Sequence, residues 1–201
     1  FGLMSLPPLR LNMDIWCAIR TYPLHAQELD NPTPQDPVFF LKPVSSITGF
    51  NTIETCNGDV HHEIELVLKI GANLMPVQMA LGLDLTKRSI QDRLKSEGLP
   101  WAEAKAFTGS AIIGDWLEYN PRAEYALSIN GTEVQRGSLM QMSWTPGELI
   151  DKLSSWASIR EGDVMFTGTP AGVGPLMAGD SITASLYVDG ECINAQSAVC
   201  V

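Results

Sequence analysis

No part of this chain narrows its possible folds more than Asp59-Val60-His61-His62-Glu63-Ile64-Glu65-Leu66-Val67-Leu68-Lys69-Ile70, an apolar strand pattern that carries two carboxylates two residues apart. Side chains alternate along a strand, so His62, Ile64, Leu66, Leu68 and Ile70 share one face while His61, Glu63, Glu65 and Val67 share the other. The α-carbons of Glu63 and Glu65 would then stand roughly 6.5–7 Å apart. That is near enough for both carboxylates to converge on one cation, and too near for two uncompensated charges on a half-buried strand. A bare Glu-x-Glu more often lines the wet face of an antiparallel sheet, so the rest of the chain has to decide between the two readings.

The bulk properties exclude several classes. Two hundred and one residues, 45% hydrophobic and 18% charged, describe an ordinary folded protein and suffice for one domain with a sizeable core, residues 1–13 forming an N-terminal extension. A net charge of −10 without any basic block argues against nucleic acid and against an anionic membrane as partners. A small anionic substrate stays compatible if a metal or a few placed Arg and Lys residues reverse the local field. Cys17, Cys56, Cys192 and Cys200 lack Cys-x-x-Cys spacing, so reduced thiols are expected. With no apolar run of spanning length and no signal-peptide order at the start, the expected location is the cytoplasm.

In chain order, residues 14–19 read as a buried strand, followed by a helical turn over residues 24–29 that puts His25 and Glu28 on one face. A His–Glu pair at that spacing can serve as a carboxylate-oriented general base, and the proline-rich loop of residues 30–37 would let it move as a lid. Residues 38–41 form a strand stopped by Lys42-Pro43, and a weak alternation over residues 73–84 delivers Asp84 out of an apolar run. Residues 86–97 read as a helix with Thr86 or Ser89 as N-cap, placing Arg88 and Gln91 on one face. Lys105, a single cation among small and aromatic neighbours, invites burial. Asn130-Gly131 marks a type I′ hairpin, and Thr145-Pro146 with Glu148 marks a capped helix whose stripe is Leu149, Ile150, Leu153 and Trp156. A strand over residues 164–167 runs into a glycine loop at residues 168–175, where amide hydrogens can face an anion with the Thr169 hydroxyl as an extra donor. Its glycine order is not that of a nucleotide loop, so it suits a small carboxylate.

Four runs occur here in a fixed order: the 59–70 strand, Leu83-Asp84-Leu85-Thr86-Lys87-Arg88-Ser89-Ile90-Gln91-Asp92, Gly98-Leu99-Pro100-Trp101-Ala102-Glu103-Ala104-Lys105-Ala106-Phe107, and Thr167-Gly168-Thr169-Pro170-Ala171-Gly172-Val173-Gly174-Pro175. Together they closely resemble the fumarylacetoacetate hydrolase family, in particular its short branch of acylpyruvases and oxaloacetate decarboxylases, over nearly the whole chain from Asp14. The resemblance implies a β-rich α+β fold, with mixed sheets rolled into a partly open barrel, and a homodimer. It implies that Glu63, Glu65 and Asp84 are metal carboxylates and Lys105 an active-site lysine. Arg20, Arg88, Gln91, Gly168 and Thr169 match positions that contact substrate, and His25 with Glu28 matches a lid dyad. The chain departs from the family pattern at Thr21, where Asn is common, and in a short connection from Gly71 to Leu83.

Three carboxylates without cysteine make a hard oxygen site, suited to Mg²⁺ or Mn²⁺ and unlike structural zinc; His61 and His62 point to opposite faces of a strand and do not form a zinc pair. The implied substrate is a small 2-oxo acid. The expected reaction is hydrolysis of a C–C bond in a 2,4-dioxo acid through a pyruvate enolate, with water activated by His25–Glu28. Oxaloacetate decarboxylation and enol–keto tautomerisation use the same enolate and stay open, as does a non-catalytic 2-oxo acid or metal-binding protein.

Overall fold

The organising stretch folds as two strands, Val60–His62 and Ile64–Ile70, with Glu63 at the break between them. A partner from elsewhere in the chain causes the break. The Ile64 amide donates to the Gln135 side chain at 3.1 Å and the Glu63 carbonyl accepts from the Asp84 amide at 2.9 Å, so one continuous ladder is interrupted. The strict two-residue alternation expected across the whole stretch therefore applies only within each part.

The computed structural model describes residues 13–23 and 36–201. In chain order the strands are β1 (Ile15–Ile19), β2 (Val38–Lys42), β3 (Ile47–Thr48), β4 (Thr52–Ile53), β5 (Val60–His62), β6 (Ile64–Ile70), β7 (Pro76–Asp84), β8 (Thr86–Lys87), β9 (Ala111–Ile113), β10 (Leu117–Glu118), β11 (Glu124–Ile129), β12 (Thr132–Ser138), β13 (Val164–Phe166), β14 (Gly174–Pro175), β15 (Ser181–Val188) and β16 (Glu191–Cys200). The helices used below are α1 (Arg88–Ser96), α2 (Ala102–Lys105) and α3 (Pro146–Ser154). An eight-stranded sheet runs β2-β1-β13-β6-β7-β9-β3, with β10 paired to β7; a five-stranded sheet runs β12-β11-β15-β16-β4; and β14-β5-β8 form a third. Parallel and antiparallel pairs mix in the large sheet, which curls into a half barrel, as expected for a β-rich α+β fold. Among the described residues no helix is long and apolar enough to cross a membrane.

β6 is buried on both faces, which settles the question left open by Glu-x-Glu. Ile64, Leu66 and Leu68 pack with Leu81, Leu83, Leu127 and Leu186 in the main core, while Val67 packs on the other side with Ile15, Cys17 and Phe166. Each such side chain contributes about 1.5–3 kcal/mol of burial, so the glutamate positions on this strand cannot swing out to water without dragging the core with them. The short connection from Gly71 to Leu83 is a complete hairpin: Gly71 and Met75 close the turn, Leu74 takes a left-handed φ of 56°, and β7 pairs with β6 along nearly its full length.

Two local readings hold and two change. The hairpin at Asn130-Gly131 has left-handed φ at both residues, and Thr145 with Glu148 closes a reciprocal capping box on α3. Leu149, Ile150 and Leu153 of α3 bury against Trp16, Ile70 and Met165, but Trp156 lies beyond the helix, 60% exposed, with its ring edge-on to Trp16. Helix α1 starts later than expected and is capped by neither Thr86 nor Ser89: Asp59, from the preceding hairpin layer, accepts from the Arg88 amide with its carbonyl and from the Ser89 amide with its carboxylate. Thr86 is left free for another task.

Candidate active site

The β6–β7 pairing sets Glu65 opposite Gly82 and brings Asp84, the last residue of β7, across from Glu63. Three buried carboxylates thereby converge, with one oxygen from each of Glu63, Glu65 and Asp84 lying within 4.8 Å of the others. Arg88 and Gln91 enter the same cleft from the first turn of α1, Lys105 from the end of α2, and Gly168 and Thr169 from the loop after β13. Arg20, which follows β1 with a left-handed φ of 56°, lines it as well. His25 and Glu28 lie outside the described residues.

Charge is distributed unevenly over this cluster. Glu63 is saturated: Oε1 accepts from Arg88 at 2.7 Å and from the Thr86 hydroxyl at 3.0 Å, and Oε2 meets the Lys105 ammonium at 2.8 Å. Burial pushes the Glu63 carboxyl up, but Lys105 and Arg88 outweigh it and hold the group down at about 2. Lys105 also meets Asp84 Oδ2 at 2.8 Å; burial disfavours its charge, yet Asp84 and Glu63 prevail and raise its pKa above that of an ordinary lysine. Lys105 is therefore a fixed, desolvated cation. Glu65 accepts from the Gly168 amide at 2.6 Å, and burial followed by the Asp84 and Glu63 charges drives its carboxyl well above the usual range.

A cation would relieve that imbalance, and the donor set fits one. Asp84 Oδ1 is buried without a hydrogen bond. The Lys42 ammonium sits 2.7 Å away, but its protons are directed to the carbonyls of Leu85, Lys105 and Ser110, so the contact is electrostatic only. An orphaned carboxylate oxygen, an under-compensated glutamate and no sulfur or imidazole in the cluster describe a site for a hard divalent ion. His61 and His62 take no part: the buried His62 ring bonds Gln135 at 2.8 Å.

The glycine loop does meet an anion, but the anion is internal. Gly168 has φ 95°, and a Cβ there would lie 2.0 Å from the Thr21 hydroxyl oxygen, so only glycine lets this amide reach Glu65. The Thr169 hydroxyl, expected as a free donor, gives its proton to the Ile64 carbonyl at 2.8 Å and accepts from Gln135 at 2.9 Å. Thr169 lines the cleft with its hydroxyl already committed to the floor.

Residues 14–196 match the family model described as the C-terminal domain of fumarylacetoacetate (FAA) hydrolase. The chain belongs to the fumarylacetoacetate hydrolase family. Within it, the chain is similar to the oxaloacetate tautomerase of Escherichia coli strain K12, at 34% identity over 90% of each chain, and to a mitochondrial oxaloacetate decarboxylase of Dictyostelium discoideum, at 33% identity over 83% of this chain and 85% of that one. It is also similar in structure to the fumarylpyruvate hydrolase of Pseudomonas aeruginosa solved with Mn²⁺ and pyruvate, with TM-score 0.85 and 31% identity over 94% of this chain and 89% of that one. Three named chemistries thus share one fold and, in these relatives, small 2-oxo acids.

Several supporting residues escape a reading of the sequence. Lys42, expected to stop β2, is its buried last residue and braces Asp84 from behind. Thr86 and Gln135 hold Glu63 and the Ile64–Thr169 floor respectively. Of these, only the Lys42 charge against a run of aromatics offered a local signal.

Proposed function

We propose that this chain is a divalent-cation-dependent enzyme that interconverts the enol and keto forms of a short 2-oxo acid, with oxaloacetate as the reference substrate. The observation that carries the reading is the buried carboxylate cluster in which, among the described residues, Glu65 has no ion pair and Asp84 Oδ1 no hydrogen bond, while Lys105 and Arg88 stand charged in the same cleft. The Escherichia coli relative named for this activity supports it.

Glu63, Glu65 and Asp84 would hold Mg²⁺ or Mn²⁺. The chemistry such an ion supplies is Lewis acidity at the C2 oxygen, which favours the enolate over a free carbanion. Lys105, fixed between two carboxylates, faces the negative charge that grows on that oxygen without needing to reorganise. Arg88 and Gln91, joined at 2.6 Å, direct donors at the C1 carboxylate. Tautomerisation takes the proton from the enol oxygen and places one on C3; His25, oriented by Glu28, is the proposed carrier.

A second reading, hydrolysis of the C3–C4 bond in a 2,4-dioxo acid, draws on the Pseudomonas neighbour solved with pyruvate, and there the same His25 would activate water. Following ultraviolet absorbance of the oxaloacetate and acetylpyruvate enols, beside pyruvate release, tests both. Cation-dependent loss of the oxaloacetate enol without matching pyruvate supports tautomerisation, and pyruvate from acetylpyruvate supports hydrolysis. Rates indifferent to chelator would overturn the cation-dependent reading altogether.

A further inference from the structure

Besides Arg20, the cleft lining carries a cation that the chemistry above does not use, Lys95. Arg88, Gln91 and Lys95 follow one another at spacings of three and four on α1, so they share the face turned to the carboxylates, and all three line the cleft. They form a gradient: Gln91 is buried, Arg88 half-buried and Lys95 exposed, which sets Lys95 at the mouth. Helical side chains lean toward the N-terminus, so Lys95 reaches back over Gln91. Its ammonium makes no ion pair among the described residues, although Arg93, two positions away on the other face, pairs with both Glu97 and Glu103. Trp101 lines the cleft beside it and offers an apolar wall for a carbon chain.

Charge balance says what that cation is for. Arg20, Arg88, Lys95 and Lys105 outnumber Glu63, Glu65 and Asp84 by one on the lining, and Lys42 stands behind Asp84. A divalent ion would raise that excess on the lining to three positive charges. The single carboxylate of a 2-oxo monoacid neutralises one of them; a diacid neutralises two. In a chain of net charge −10 such an excess is local and selective.

We infer that Lys95 is a specificity-determining residue that reads the distal carboxylate of a dicarboxylic 2-oxo acid, making the cleft selective for diacids over acyl monoacids. This rests on the 2-oxo acid reading proposed above. Oxaloacetate and acetylpyruvate make a near-isosteric test pair, since they differ at C4 only by a carboxylate oxygen in place of a methyl group. Enol loss should be measured for both with the Mg²⁺-loaded enzyme, in the wild type, in Lys95→Met and in Lys95→Arg. The ratio of kcat/KM for oxaloacetate over acetylpyruvate should fall roughly tenfold in Lys95→Met, through KM for the diacid, and return in Lys95→Arg. The wild-type ratio should also fall as salt rises from about 0.01 to 0.15 M, while the Met variant's stays flat. A ratio within about twofold of wild type in Lys95→Met, or an equal fall for both substrates, overturns the assignment. If the wild type turns over neither compound, the 2-oxo acid reading itself fails and the assignment falls with it.

Discussion

Glu63 and Glu65 stand two residues apart and are both buried, yet their electrical surroundings are opposite. Glu63 is enclosed by Arg88, Lys105 and Thr86 and is held ionised down to about pH 2; Glu65 meets one backbone amide and two neighbouring carboxylates and is pushed toward its neutral form. The first is a structural ion-pair hub that also faces the cleft. The second has no cation paired to it among the described residues and so weakens the fold at neutral pH. Burial alone does not set the charge state of a carboxylate; the count of positive partners does.

The largest effect that could break this contrast is expected at the hub. Replacing Glu63 by Gln leaves Arg88 without its buried partner and halves the anionic field at Lys105, so unfolding in denaturant with chelator present should show a loss of about 3–5 kcal/mol. A loss under about 1 kcal/mol would make the hub an ornament. Glu65→Gln should act with the opposite sign, raising stability in chelator at pH 7 by roughly 1–2 kcal/mol because a buried carboxylate no longer has to ionise. Calorimetry should show that the same variant loses most of its Mn²⁺ affinity.

The sign with pH follows from the two directions. Glu63, depressed from 4.5 to about 2, contributes stability that is fully present above 4.5 and is lost as pH falls through 2. Glu65, raised, contributes stability that is fully present below 4.5 and is lost as pH rises toward its folded value. Between pH 4.5 and 7 the Glu65 contribution changes while that of Glu63 does not. Acidification across that window should therefore stabilise the wild type in chelator relative to Glu65→Gln, and a constant difference between the two would refute the contrast. The smallest effect belongs to Thr86→Val, which removes one buried hydroxyl from Glu63 and should cost about 1 kcal/mol with Mn²⁺ affinity changed only a few-fold.

How much of this was legible before the fold was known divides along locality. The Asn130-Gly131 hairpin, the Thr145 capping box and the burial of Lys105 are written in neighbouring residues and read correctly. The coming together of Glu63, Glu65 and Asp84 was expected from order and resemblance, and the β6–β7 register supplies its physical cause. What could not be read depends on partners far away in the chain. Gln135 breaks the 59–70 strand from 71 residues beyond Ile64, Asp59 caps a helix that Thr86 and Ser89 seemed able to cap, and the donors of Gly168 and Thr169 turn inward to Glu65 and Ile64. Polar side chains advertise their chemistry in a sequence but not the address to which they deliver it.

The position of Lys105 also bears on the order of assembly. Its ammonium already bridges Glu63 and Asp84, and its own carbonyl accepts from Lys42, so the two most crowded carboxylates are neutralised by covalent parts of the chain. In proteins whose metal supplies the folding energy, an unloaded chain is an unfolded chain. Here the fold can close first, and a cation held as proposed above would be recruited last. Loading would then be a reversible step taken by a finished protein, set by the supply of cation around it rather than by the moment of synthesis.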